Sequence, residues 1–353
     1  MNRRAILLGA ASLMGCVTPM TSPRPPIIIA HRGASGERPE HTLASYRLAI
    51  AQGADYIEPD LVMSRDGVLV CRHENEISGT TDVADRPEFA GRRKEKIVDG
   101  FPAEGWWAED FTLAELKSLR CKERLPELRP QNVAFDGQEQ ITTFAEVLEL
   151  ALSAGVGVYP ELKHPSFLAA QGLDPVAAFV ETVHAGGGQR AADAMYVQCF
   201  EVGPLQALAG ISSLRLSCIQ LIGADGGRWD RRELTPQAMI SDVGLRDIAA
   251  YARGVGVEKA LVIPRDDHAR MLPATDLCAR AHGVGLLVHA WTFRAENYFL
   301  PAERRAGDPA SPDYLRLHGD LAGELDAFFA AGVDGVFSDF PGVAREALHA
   351  RLR

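Results

Sequence analysis

The chain has 353 residues, 46% of them hydrophobic and 24% charged, with 37 basic against 47 acidic side chains and a formal net charge of −10. That balance is globular and excludes an intrinsically disordered chain. The negative charge argues against electrostatic binding of nucleic acid, and a core of this size needs no disulfide or metal staple.

In chain order, the first segment reads as a leader. Arg3 and Arg4 precede an apolar run from Ala5 to Met14, followed by Gly15 and Cys16. A basic end, a short apolar run and a small residue before a cleavage point describe an export leader, and the run is too short to span a bilayer. The stretch Leu13-Met14-Gly15-Cys16 resembles the lipobox of bacterial lipoproteins, although Met14 is not the usual small residue there. On that reading Cys16 is lipidated, begins the mature chain and tethers it to a membrane; an ordinary cleaved leader is the simpler alternative. The arginine pair also fits twin-arginine export. Residues 1–26 are therefore assigned to leader and linker, with the mature protein in the periplasm or anchored to the cell envelope.

From residue 27 to 353 a pattern recurs. Eight short strand candidates appear: Ile27–Ala30, Ala54–Ile57, Val156–Tyr159, Met195–Val197, Leu214–Leu221, Ala260–Ile263, Leu286–His289 and Gly335–Phe337. Helical patterns follow most of them, beginning near His41 and including Thr143–Leu152, Pro175–His184, Asp267–Ala281 and Leu321–Ala331. Alternating strands and helices imply a parallel sheet, and eight repeats favour a closed (β/α)8 TIM barrel over an open doubly wound sheet. The length alone suggests two domains, but α/β barrels run longer as one. No glycine-rich nucleotide fingerprint follows the first strand. Two segments interrupt the repeat, a long one at about 74–141 and a smaller one at Arg294–His318, and both fall at the C-terminal ends of strands, the functional face of such barrels. Five cysteines remain beyond Cys16, with no C-x-x-C pair; Cys71 and Cys121 are a candidate disulfide, whereas Cys199 reads as core.

Polar residues gather where strands end. Glu58 and Asp60 are two apart, a spacing that points both side chains the same way in a strand, and Glu161 ends another strand. Three carboxylates converging at a barrel mouth repel one another unless a cation lies between them, and an all-oxygen set suits Ca²⁺ or Mg²⁺. Each acid taken singly reads rather as an exposed acid at a strand end, and only the coincidence with the next group reverses that reading. His31 and His73 each follow an apolar run, the second beyond a hairpin-type turn at Arg65-Asp66-Gly67. Two imidazoles facing one pocket serve as general acid and base; His41, His184 and His349 read as structural. Arg32 and Lys163 bring positive charge to the same mouth, either for a phosphoryl oxygen or as salt bridges to the acids.

His31-Arg32-Gly33, Glu58-Pro59-Asp60, His73, Thr80-Thr81-Asp82-Val83 and Tyr159-Pro160-Glu161-Leu162-Lys163-His164-Pro165 together resemble the glycerophosphodiester phosphodiesterase family. So do Gln198-Cys199-Phe200, His289-Ala290-Trp291-Thr292-Phe293-Arg294 and Asp334-Gly335-Val336-Phe337-Ser338-Asp339-Phe340-Pro341. The ordered set covers nearly everything from Ile27 onward and is closest to the exported bacterial branch with its long insertion. The resemblance implies that His31 and His73 are the catalytic histidines and that Glu58, Asp60 and Glu161 hold one divalent cation, Ca²⁺ or Mg²⁺. It further implies that Arg32 and Lys163 contact phosphate, and that Gln198 and Trp291 line the substrate pocket. Glu74 stands where the family usually has Asp, and Cys199 where Ser is common.

The expected reaction is hydrolysis of a small glycerophosphodiester to sn-glycerol 3-phosphate and an alcohol. The nucleophile is water or the neighbouring glycerol hydroxyl, and either histidine can be the acid. The alternatives are a phospholipase C- or D-like enzyme acting on intact lipids and a non-catalytic phosphate-ester binding protein. No amphipathic helix with a clear basic face marks interfacial binding.

Overall fold

The structure, a computed structural model, describes residues 25–226 and 230–353. The leader, the lipobox-like stretch and Cys16 lie outside the described residues. Among the described residues no helix is long and apolar enough to cross a membrane.

The strands are β1 (Ile27–His31), β2 (Tyr56–Glu58), β3 (Asp60–Met63), β4 (Leu69–Cys71), β5 (Lys94–Val98), β6 (Phe101–Gly105), β7 (Gly157–Val158), β8 (Glu161–Leu162), β9 (Tyr196–Cys199), β10 (Ser217–Ile222), β11 (Gly254–Glu258), β12 (Leu287–Phe293) and β13 (Gly335–Ser338). Prolines split two of the barrel staves. Pro59 separates β2 from β3 and Pro160 lies between β7 and β8, because proline has no N–H to give to a ladder. The ladder nonetheless runs on across both breaks, with Tyr159 N donating to Ile57 O at 2.9 Å, Glu161 N to Pro59 O at 2.9 Å and Lys163 N to Leu61 O at 3.0 Å. Counting each split pair as one stave, the parallel pairings run from β1 through β2/β3, β7/β8, β9, β10, β11, β12 and β13 back to β1. The ring of eight is closed, as the strand–helix alternation predicts.

One expected strand and one expected helix need correction. The sixth stave is Gly254–Glu258, while Lys259–Val262 is a short helix rather than the strand read at Ala260–Ile263. The reason is packing: Gly254 and Gly256 face inward, where an added Cβ would lie 2.7 Å from Leu287 O and 2.6 Å from Leu221 Cδ2 respectively. Glycines demanded by close approach look like a loop in a periodicity reading. Likewise the helix expected over Asp267–Ala281 covers only Leu277–Gly283, since Pro273 interrupts the approach to it. Other helices follow their signals. Thr143 and Glu146 form a capping box at the start of Phe144–Ala154, which stops at the left-handed Gly155.

Side-chain alternation divides the core. Ile29, Tyr159, Ile219 and Phe337 fill the barrel, with Tyr56, Tyr196 and Trp291 packed around them. The intervening residues Ile28, Ile57, Val197 and Val336 face outward into the layers between sheet and helices. The segment after His73 has a core of its own, built on Phe89, Trp106, Phe111 and Leu116 and joined to the barrel through Val62 and Val70. Within it β5 and β6 form a separate antiparallel hairpin. Cys71 and Cys121 belong to these two different cores and are free thiols, so the candidate disulfide is absent; the Arg72 guanidinium donates to the Cys121 sulfur instead.

Candidate active site

The alternation that puts Ile29 and Tyr56 inside the barrel puts His31 and Glu58 inside it one layer higher, at the C-terminal end of their strands. The same holds for Glu161 above Tyr159, Gln198 above Tyr196 and Trp291 above His289. His73 arrives by a hairpin: β3 turns through Arg65-Asp66-Gly67 into antiparallel β4, and Arg72 N donates to Asp60 O at 3.0 Å. All nine expected residues, His31, Arg32, Glu58, Asp60, His73, Glu161, Lys163, Gln198 and Trp291, line one cavity of about 260 Å³.

Glu58, Asp60 and Glu161 are buried, and each offers an oxygen within 4.8 Å of the others. Burial and the neighbouring Asp60 charge push the Glu58 carboxyl well up. Burial and Asp60 also push Glu161 up, to about 8, against the pull of Lys163. Asp60 goes the other way despite burial, because Lys163, His73 and Arg32 surround it and hold it well below the usual carboxylate range. A buried cluster of three close carboxylate oxygens, two of them raised in pKa, is the environment in which an oxygen-seeking dication replaces protons. His41, read as structural, is that and more: its ring bonds Asp60 Oδ2 at 3.0 Å through Nε2 and Tyr46 OH at 2.8 Å through Nδ1, fixing the acid's orientation.

The two cations are ion-paired. Arg32 Nη1 donates to Glu40 at 2.9 Å and its Nε lies 3.2 Å from Asp60, while Lys163 Nζ lies 2.8 Å from Glu161. Arg32 has φ +60 and Gly33 φ +90, a tight turn that lets the Arg32 N–H donate to Glu58 at 2.8 Å. A side chain at position 33 would collide with Ser45 at 2.4 Å.

Each cavity histidine has a carboxylate behind it. His31 Nδ1 is 2.6 Å from Asp339 Oδ1, and His73 Nδ1 is 2.5 Å from Glu74 Oε1. Burial, reinforced by Arg32, lowers His31 to about 4; burial with Arg32 and Lys163 lowers His73 to about 3. Two further polar atoms at the cavity, Gln198 Oε1 and Trp291 Nε1, are buried without a protein partner. Sequence reasoning missed the residues that surround this set. Asp339 stood inside a quoted motif without a role. Glu40, Arg124 and Arg129 carried no local signal, and Phe200, Glu258 and Arg294 line the cavity from strand ends and the loops that follow them.

The glycerophosphoryl diester phosphodiesterase family profile matches residues 31–343. A glycerophosphodiester phosphodiesterase of Arabidopsis thaliana is 35% identical over 90% of this chain and 84% of its own length. One from Haemophilus influenzae is 30% identical over 97% of this chain and 96% of its own. Among solved structures, an Oleispira antarctica phosphodiesterase in complex with the product sn-glycerol-3-phosphate shares the fold at TM-score 0.60 and 23% identity, covering 92% of this chain and 97% of that one. A glycerophosphodiester phosphodiesterase from Agrobacterium tumefaciens does so at TM-score 0.57 and 18% identity, covering 91% and 99%. The chain belongs to the glycerophosphoryl diester phosphodiesterase family, enzymes that hydrolyse glycerophosphodiesters.

Proposed function

We propose that the enzyme hydrolyses small glycerophosphodiesters to sn-glycerol 3-phosphate and an alcohol, with His31 and His73 as the acid–base pair and one Ca²⁺ or Mg²⁺ held by Glu58, Asp60 and Glu161. The observation that carries this reading is the meeting of both imidazoles and the three buried acids in one cavity. The donor set fits a hard dication: all oxygens and mutually close, with Glu58 and Glu161 raised in pKa by burial and by Asp60 despite Arg32 and Lys163. Such an ion supplies charge stabilisation to the phosphoryl group.

The chain's own residues do the rest. Arg32 and Lys163 face the cavity and are the cations that would meet the phosphodiester anion. Asp339 and Glu74 accept hydrogen bonds from the Nδ1–H groups, so each ring presents Nε2 to the substrate, bare on the base and protonated on the acid. One imidazole accepts the proton of the attacking hydroxyl and the other protonates the departing alkoxide. The solved Oleispira relative in complex with sn-glycerol-3-phosphate supports that half of the diester as the retained product. The cavity of about 260 Å³ has room for a small diester.

Purified enzyme should release glycerol phosphate from glycerophosphocholine, lose that activity in EDTA and regain it with added Ca²⁺ or Mg²⁺. His31→Ala and His73→Ala should each lower kcat by roughly 10²–10⁴-fold, the range of a positioned acid or base. Activity indifferent to chelation removes the ion from the reaction, and near-normal turnover by either alanine variant removes that histidine.

A further inference from the structure

One short turn in the segment after His73 reaches both sides of the cavity. Arg124 forks between two carboxylates: Nε and Nη2 donate to Glu40 at 2.7 Å each, while Nη1 and Nη2 donate to Glu74 at 2.9 and 2.5 Å. Glu74 in turn receives His73 Nδ1. Five residues on, Arg129 divides its guanidinium three ways, donating to Asp339 Oδ2 at 2.6 Å, Glu296 Oε1 at 2.5 Å and the Ser35 carbonyl at 2.9 Å. Asp339 receives His31 Nδ1 on its other oxygen, and Arg294 Nε at 2.9 Å on the same oxygen as Arg129. The two chains have the same order, arginine to carboxylate to imidazole Nδ1, and end at the two histidines of one cavity.

The turn between the arginines is itself pinned. Arg129 N donates to Leu125 O at 2.8 Å, Leu125 N to Glu123 Oε1 at 2.8 Å, and Asn132 Nδ2 to Glu123 Oε2 at 2.9 Å. The Arg129 side chain is 4% exposed, and its partners Asp339 and Glu296 are 3% and 0% exposed. A carboxylate anchored by a guanidinium accepts hydrogen bonds and gives none, so it fixes which ring nitrogen carries the proton and how the ring is turned. Charge-assisted, partly bidentate bonds hold that geometry with little freedom.

We infer that the Arg124–Arg129 turn positions both imidazoles, Arg124 holding His73 through Glu74 and Arg129 holding His31 through Asp339. The long segment after His73 is on this account part of the catalytic apparatus, since it couples the geometry of the acid to that of the base. Neither arginine is a catalytic residue; each is a positioning residue. The inference rests on the acid–base reading above.

The test uses full-length Arg124→Met and Arg129→Met enzyme with saturating divalent ion and two substrates, glycerophosphocholine and the glycerol phosphate diester of p-nitrophenol. Displacing a reacting group by about an ångström costs on the order of 10²-fold, so kcat for glycerophosphocholine should fall roughly tenfold to a hundredfold with KM within about twofold. A nitrophenolate needs no proton to leave. The variant that disturbs the general acid should therefore recover most of its loss on that substrate, and the other variant should not. Glu74→Gln and Asp339→Asn should reproduce the pattern of their respective arginines, and they carry the test if an arginine variant fails to fold. The inference is overturned if kcat stays within twofold of wild type, or if all variants lose the same factor on both substrates, while His31→Ala and His73→Ala are inactive. Active alanine variants would instead overturn the acid–base reading itself.

Discussion

The carboxylate trio makes a quantitative demand on ion binding. Two unit charges within 4.8 Å of each other repel by at least roughly 3.5 kcal/mol at an effective dielectric of about 20, which is on the order of 2.5 pKa units or more. That repulsion, added to burial, accounts for Glu161 at about 8 and for the rise of Glu58, while Asp60 stays ionised among Lys163, His73 and Arg32. A dication needs the acids ionised, so it must displace protons. The sign follows: the ion-free site has raised carboxylate pKa values and the loaded site has low ones, so binding strengthens as pH rises and weakens as it falls. With Glu161 near 8, about nine-tenths of it is protonated at pH 7, and that one group weakens Ca²⁺ or Mg²⁺ binding by roughly tenfold relative to pH 9. Titration calorimetry at both pH values, in two buffers of different ionisation enthalpy, should show close to one proton or more released per ion at pH 7. The apparent Kd should tighten about tenfold or more by pH 9. A Kd that is flat over this range with no proton release would mean that the ion is not held by these carboxylates. Glu161→Gln should weaken binding and lower the proton release per ion, leaving the part that belongs to Glu58.

Two further expectations follow from buried groups near the site. Trp291 Nε1 is a buried donor without a protein partner, so Trp291→Phe should cost roughly tenfold in kcat/KM, the worth of one hydrogen bond to the substrate, with no loss of thermal stability; unchanged kcat/KM would leave that donor without a role. His289, inside the barrel, bonds Tyr159 OH at 2.7 Å, and burial lowers it to about 4 against 6.5 in an unfolded chain. Between those values the unfolded state holds the extra proton, so acidification from pH 7 to 5 should remove about 2 kcal/mol through this residue alone. Denaturant melts of His289→Gln should lose that much less than wild type over the same interval, and equal losses would show that His289 does not resist protonation.

What the sequence discloses depends on how each residue reaches the site. His31 and Glu58 end strands, Glu161, Gln198 and Trp291 lie within two residues of strand ends, and in a parallel barrel the C-terminal strand ends share one rim, so one-dimensional position converts directly into spatial proximity. His73 was legible for a related reason, since a hairpin turn returns the chain to the strand it left. The β11 stave was not, because its inward glycines answer to neighbours on β10 and β12 that no local pattern contains. The pairing of Cys71 with Cys121 failed similarly: nothing local says that they face different cores.

Arg124 and Arg129 sit at the far end of that scale. Their partners Glu40, Glu296 and Asp339 are 84, 167 and 210 residues away, so no spacing rule connects them. Glu74 follows the motif residue His73 directly, and there the departure from the family's usual Asp acquires a physical meaning. The longer side chain bonds its neighbour's Nδ1 and accepts both Nη groups of Arg124 as well. Aspartate, one methylene shorter, has less reach for both tasks from the same backbone. Glu74→Asp therefore separates the two functions of that carboxylate: it should keep an acceptor near His73 while loosening the tie to Arg124. If the turn positions the imidazole as inferred, the shortened side chain should behave kinetically like the arginine deletion rather than like wild type.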